Sequence, residues 1–116
     1  MSPGKHGSWH GHHIVMKGVK VNDSRYVYSQ GSIDILESFD IDWYAGPENL
    51  SCAPHNWEGL HTTEEQKAIF EALSEAKQMG DQYGQELGKN HAIKILNQAR
   101  DLYSKGELFQ NRDQED

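Results

Sequence analysis

Two stretches in the second half of the chain repeat apolar residues at the three- and four-residue spacing of an α-helix. The first follows the pair Thr62–Thr63, either of which is a suitable N-cap, and continues until Gly80. The second covers about residues 89–103, with Gly106 just beyond it. The polar, glycine-rich connection over residues 80–88 is either a loop or the loose start of the second helix. Each helix has one apolar face, so each must pack against a partner in a common core.

The first half of the chain has short β-prone runs separated by turn-forming residues. Residues 12–21 and 25–28 predict a strand, a turn and a second strand. Ser32 is placed to cap a short helix, and residues 49–53 predict another strand that ends at Pro54, because proline has no N–H to donate. Combined with the two amphipathic helices, these elements predict a small α+β domain.

A chain of 116 residues is long enough for one small domain with one active site, but too short for two independently stable units. No window approaches the roughly 20 apolar residues that a membrane span needs, so we expect no membrane partner. The predicted organisation is an irregular N-terminal arm over residues 1–11, the domain over residues 12–110 and an acidic tail over residues 111–116.

Charge and cysteine content limit the classes of function. The formal charge of −7 argues against general binding of nucleic acid, which depends on clustered Lys and Arg, and residues before the acidic tail still carry about −5. The lone Cys52 excludes an intramolecular disulfide and a cysteine-only zinc site. Any transition metal would therefore need histidine and carboxylate ligands.

His12 and His13 stand where the first predicted strand begins. Successive strand positions point to opposite faces, so the two imidazoles cannot both bind one ion in the same way, and different roles follow. One can hold a divalent ion that stabilises a phosphorane-like transition state, while the other takes a proton from the attacking water. The adjacent histidines therefore indicate metal-assisted hydrolysis of a phosphodiester.

Further ligands and substrate contacts must come from elsewhere in the chain. His61 lies at the start of the first predicted helix, where capping and packing hold it rigidly, and His55 is its natural companion. Glu65 is a weaker candidate ligand, and its ordinary place would be on a solvated helix face with the neighbouring glutamates. The candidates for phosphate contact, for which ordinary surface charge is an equal explanation, are Lys17, Lys20 and Arg25.

These motifs follow one another in a recognisable order. Gly-His-His-Ile-Val at residues 11–15 precedes an Ile-Leu-Glu-x-Phe-x-Ile-Asp segment, then Asn-Leu-x-x-Ala-Pro-x-Asn, then Gly-x-His-Thr leading into a helix. This order resembles the GHH and AHH toxin branch of the HNH nucleases, also called ββα-metal or His-Me finger nucleases. The resemblance covers roughly His12 to Leu73, about half of the chain.

The resemblance implies a ββα-metal core with an additional C-terminal helix, and it assigns roles to residues of the site. His12 and His61 would be ligands of one divalent ion, which could be Zn²⁺, Mg²⁺, Mn²⁺ or Ni²⁺. His13 would be the general base, and Asn49 the central asparagine that positions the catalytic loop. The implied activity is that of a metal-dependent endonuclease, with DNA as the expected substrate and RNA as an alternative.

Some of these assignments stay open. His55 falls where related patterns carry either no histidine or another ligand, and Asn56 competes with Asn49 for the asparagine role. The acidic balance of the chain departs from the basic surfaces of colicin-type DNases. The histidine pair could also be solvated and belong to the histidine-rich arm that precedes it.

The resemblance also implies a biological setting. Such domains are commonly C-terminal warheads of bacterial polymorphic toxins and secretion-system effectors, each neutralised by a cognate immunity protein. The start of this chain lacks the apolar core of a secretory signal peptide and resembles an excised domain. Export would then use a contact-dependent or specialised secretion system, and the domain would act in the cytoplasm of the target cell.

Two other classes of protein fit the same composition. An acidic interaction protein, such as a phage-type inhibitor or DNA mimic, would use its carboxylates and would not need the histidine pair. A structural module that binds metal without catalysis would be stabilised by metal but would cleave nothing.

Overall fold

A computed structural model describes residues 9–16, 18–43, 49–54 and 61–111, with residues 9–12 and 50–54 described by their backbone alone. These residues form a predominantly helical fold. Its elements are β1 (Trp9–His13), α1 (Tyr26–Ser38), β2 (Leu50–Pro54), α2 (Thr63–Tyr83), α3 (Gln85–Ser104) and a short 3-10 helix (Phe109–Asn111). β1 and β2 pair in an antiparallel two-stranded ribbon, in which His13 lies opposite Leu50. β1 therefore begins within the predicted irregular arm.

The prediction of an α+β domain with a ββα-metal core is wrong. The described core is built mainly by three helices, and the segment predicted as a second strand, residues 25–28, instead leads into and begins α1. Ser32 is buried inside that helix and does not cap it. The β-prone Tyr26–Tyr28 run is helical because α1 packs Ile33 and Leu36 into the core at helical spacing, and such packing outweighs local propensity.

The start of α2 agrees with its sequence signal. Thr62 is the N-cap, and its side-chain oxygen accepts a hydrogen bond from the backbone N–H of Glu65 at 3.1 Å, which confirms the predicted cap. Glu64 also lies in the first turn, where a negative charge is favourable. None of the described helices is both long and apolar enough to cross a membrane.

α2 and α3 form a close helical hairpin, so residues 80–88 are not a loop; their second half is the start of α3, which is the other alternative. The helices are separated only at Gly84, whose φ of 120° is strained for any residue with a side chain. Gly80 and Gly88 lie inside the helices, and a Cβ added to Gly88 would approach the Gly80 Cα to 2.6 Å. These two glycines therefore permit close helix packing, and Gly80 does not end α2.

Glu65 departs most clearly from its expected place on a solvated face. Its carboxylate is fully buried and accepts hydrogen bonds from the Tyr103 hydroxyl at 2.6 Å and from the backbone N–H groups of Phe109 at 2.7 Å and Gln110 at 3.0 Å. Burial and the nearby carboxylate raise the pKa of Tyr103. Glu65 therefore ties the C-terminal turn to α2, and both of its carboxylate oxygens accept hydrogen bonds in this role.

Replacing Glu65 should destabilise the fold strongly. Glu65→Ala leaves three donors in or near the core without an acceptor, so we expect a loss of about 3 kcal/mol or more in the free energy of unfolding. Tyr103→Phe removes one of the donors and should cost about 1–2 kcal/mol. Urea denaturation measures both, with the exposed Glu75→Ala as the control, expected within about 0.5 kcal/mol of wild type. Equal stability of the Glu65 and Glu75 variants would contradict this role.

Candidate functional site

The backbone immediately after the histidine pair is buried. Ile14 and Val15 have 1% and 0% of their surface exposed, so their peptide groups need partners inside the protein. Asn49, also fully buried, provides several of them. Its Oδ1 accepts the Val15 N–H at 2.8 Å, its Nδ2 donates to the carbonyls of Val15 at 3.1 Å and Trp43 at 2.8 Å, and its backbone carbonyl accepts the Ile14 N–H at 2.8 Å.

A second buried amide holds the same segment from the other side. Gln66, in the first turns of α2, accepts the Met16 N–H on Oε1 at 3.2 Å and donates from Nε2 to the Ile14 carbonyl at 3.0 Å. The sequence interpretation did not single out Gln66. The sequence contains a signal for it, because Gln66 stands three residues before Ile69 and therefore lies on the apolar face of α2, where a polar side chain is expected to be buried and hydrogen-bonded.

This arrangement brings His13 and His61 together at the edge of the described core. The Nε2 atom of His61 lies 3.2 Å from the backbone carbonyl of His13. The ring of His13 is partly exposed and meets Trp43 edge-on, with ring centroids 6.4 Å apart. Three of the predicted site residues, His13, Asn49 and His61, therefore converge although they come from separate parts of the chain.

The surroundings of His61 favour its neutral form. Its ring is partly buried, and burial is the main reason that its pKa lies below the ordinary value. The hydrogen bond to His13 acts in the opposite direction, and the positive charge of Arg25 lowers the pKa further. A neutral imidazole that donates from Nε2 to a carbonyl keeps its lone pair on Nδ1, the atom that could bind a metal.

Arg25 fixes the backbone of His61. Its guanidinium pairs with both carboxylate oxygens of Asp23, at 2.9 and 2.7 Å, and donates to the His61 carbonyl at 2.7 Å. Ser24 adds a hydroxyl contact of 2.6 Å with Thr63. These bonds attach the turn before α1 to the start of α2 and give Arg25 a structural role, while its contact with phosphate stays a prediction.

The remaining candidates are only partly described. Lys20 is exposed, whereas Lys17, His55 and the competing Asn56 lie outside the described residues. His12 stands opposite Ser51 in the two-stranded ribbon, but its side chain is not described. Among the described side chains, no group of three His, Cys, Asp or Glu residues is placed to hold a metal ion. Of the three histidines predicted as ligands, only His61 has a described side chain.

No family model, curated protein or solved structure matches this chain. The resemblance to HNH nucleases therefore depends on the order of the motifs, and the chemistry must be argued from the site itself.

The pairing of Asp23 with Arg25 predicts that the stability of the folded protein depends on pH in the acidic range. Hydrogen bonds from Arg25 hold the pKa of Asp23 at about 2, below its ordinary 3.8. Because the pKa is lowered in the folded protein, this stabilisation is complete above pH 3.8 and is lost as the pH falls through about 2. In Arg25→Gln the pKa should return towards 3.8, as measured by carbon NMR of the carboxyl group during titration.

Lys20→Gln is the matched control, because it removes an exposed cation from the same part of the chain. The bond that the Lys20 carbonyl accepts from the Asp23 N–H, at 2.9 Å, belongs to the backbone and does not involve the replaced side chain. Lys20→Gln should leave the titration of Asp23 unchanged. A titration curve of Asp23 that is the same in wild type and Arg25→Gln would contradict the assigned pairing.

Proposed function

We propose that the protein is a metal-dependent endonuclease that hydrolyses phosphodiester bonds, with DNA as the preferred substrate. The observation that carries this proposal is the contact between His61, at the start of α2, and the His13 backbone, at the end of β1. The contact joins the ring of His61, the candidate ligand, to the backbone of His13, the candidate base. It supports the proposal because His13 ends a paired strand and His61 directly precedes the capped start of α2.

The proposal gives His61 the role of a metal ligand through Nδ1. Ligating histidines commonly donate their other ring N–H to a backbone carbonyl, which fixes the tautomer and the orientation of the ring, and His61 makes such a contact with His13. The lowered pKa of His61 supports the neutral form that a metal needs. His12 and His55 are the proposed further ligands. A bound divalent ion would stabilise the negative charge that develops on the phosphoryl oxygens.

His13 is the proposed general base. Its backbone is anchored by pairing with Leu50, and the residues after it are anchored by Asn49, while its ring remains partly exposed. The imidazole would take a proton from water as the water oxygen attacks phosphorus, and the P–O bond to the leaving sugar oxygen would break. Solvent would supply the proton that this leaving oxygen takes up.

The order of the motifs also supports a biological role as the toxin domain of a bacterial effector. A toxin domain of an effector would be delivered into a target cell and would require an immunity protein in the cell that makes it. An acidic chain with a formal charge of −7 repels nucleic acid as a whole, so the substrate would have to contact a small group of cations near the site. We propose Lys17, Lys20 and Arg25 for these contacts.

Nuclease activity should depend on His13 and His61 in different ways. We expect wild type to cleave plasmid DNA with Mg²⁺, Mn²⁺, Ni²⁺ or Zn²⁺, and His13→Ala to cleave it at least about 100-fold more slowly, because a general base is lost. Thermal stabilisation by metal should persist in His13→Ala. His61→Ala should weaken metal binding at least about tenfold, since a ligand is removed. Gel assays and titration calorimetry measure the two effects.

His91→Ala is the matched control, because His91 lies on α3, outside the predicted motifs in sequence, and should change neither result. If wild type leaves both DNA and RNA intact with all four metals, the proposed activity is wrong. Metal stabilisation without cleavage would then favour the structural module, and the absence of both would favour the acidic interaction protein.

A further inference from the structure

We propose that Gln66 is a positioning residue that fixes the end of β1, and with it His13, against α2, the helix that begins two residues after His61. The role deepens the proposed nuclease function and depends on it. Its structural basis is a pair of hydrogen bonds from one side chain: Oε1 accepts the Met16 N–H at 3.2 Å, and Nε2 donates to the Ile14 carbonyl at 3.0 Å.

Gln66 can hold the end of β1 in place because both its backbone and its side-chain amide are fixed by hydrogen bonds. Its side chain is 1% exposed, and its own N–H donates to the Thr62 carbonyl at 3.0 Å in the first turn of α2. Thr62 caps that turn through its side chain. A side chain that starts from a capped helix end and has both amide atoms bonded has little rotational freedom left.

The side-chain amides of Asn49 and Gln66 attach the segment after His13 to different parts of the fold. Asn49 joins it to Trp43 and to the start of β2, whereas Gln66 joins it to α2. His61 stands at the entry to α2, so the bonds of Gln66 span the two pieces of chain that carry the proposed base and the proposed ligand. Loosening Gln66 should therefore change the position of His13 relative to His61 while the Asn49 bonds remain.

The test compares Gln66→Met with wild type. Methionine has a similar length and no amide, so it removes both hydrogen bonds with little change in volume. We expect the variant to bind DNA with an unchanged KM but to have a kcat about 10–100-fold lower, because a small displacement of a catalytic base slows the chemical step strongly. The ring signals of His13 in NMR spectra should shift or broaden. Gln98→Met, an exposed change on α3, should do neither.

The ring signals make the outcome independent of the proposed activity. If wild type does not cleave nucleic acid, the proposed function fails, but a changed His13 signal in Gln66→Met still supports the positioning role. A folded Gln66→Met with wild-type His13 signals and kcat would overturn it. If the variant does not fold, hydrogen exchange of the Met16 N–H in wild type tests the same bond. Slow exchange supports the hydrogen bond to Gln66, and exchange at the rate of an unstructured peptide contradicts it.

Discussion

The backbone of Ile14 and Val15 is buried in the core, and the arrangement of the elements around it follows from that burial. Ile14 and Val15 fill the core, but they are not inside a helix, so their N–H and carbonyl groups need other partners. Asn49 and Gln66 supply these partners almost entirely, from two different parts of the chain. Each buried side-chain amide can both donate and accept, so it can satisfy both the N–H and the carbonyl groups of a buried backbone that lies outside any helix.

This constraint explains why the candidate site forms where it does. Residues 14–16 follow directly after His13, so the bonds that fix their backbone also fix the position from which the His13 side chain extends. Gln66 belongs to α2, and its bonds bring the start of α2, with His61, to the same place. Arg25 then holds the His61 carbonyl from the turn before α1. A polar network of this kind orders a site more sharply than apolar contacts alone, because every bond has a direction.

The elements that could be predicted from sequence are those whose signal is local. The periodicity of α2 and α3 and the cap at Thr62 depend on residues within one or two turns, and the structure has them. The error at residues 25–28 arose because a β-prone composition was overruled by core packing of α1. Glu65 was misplaced because its partner Tyr103 lies 38 residues away, and Gln66 was missed because Met16 lies 50 residues away. Asn49 was singled out only through the motif order.

The free energy of unfolding of Asn49→Ala shows whether the buried backbone after His13 depends on this side chain. The change leaves the Val15 N–H and the carbonyls of Val15 and Trp43 without the bonds that Asn49 makes to them. We expect a loss of about 3 kcal/mol or more in urea denaturation, since each buried unpaired group costs about 1–3 kcal/mol. The exposed Asn90→Ala should stay within about 0.5 kcal/mol of wild type. An Asn49→Ala protein as stable as the Asn90→Ala control would contradict the account.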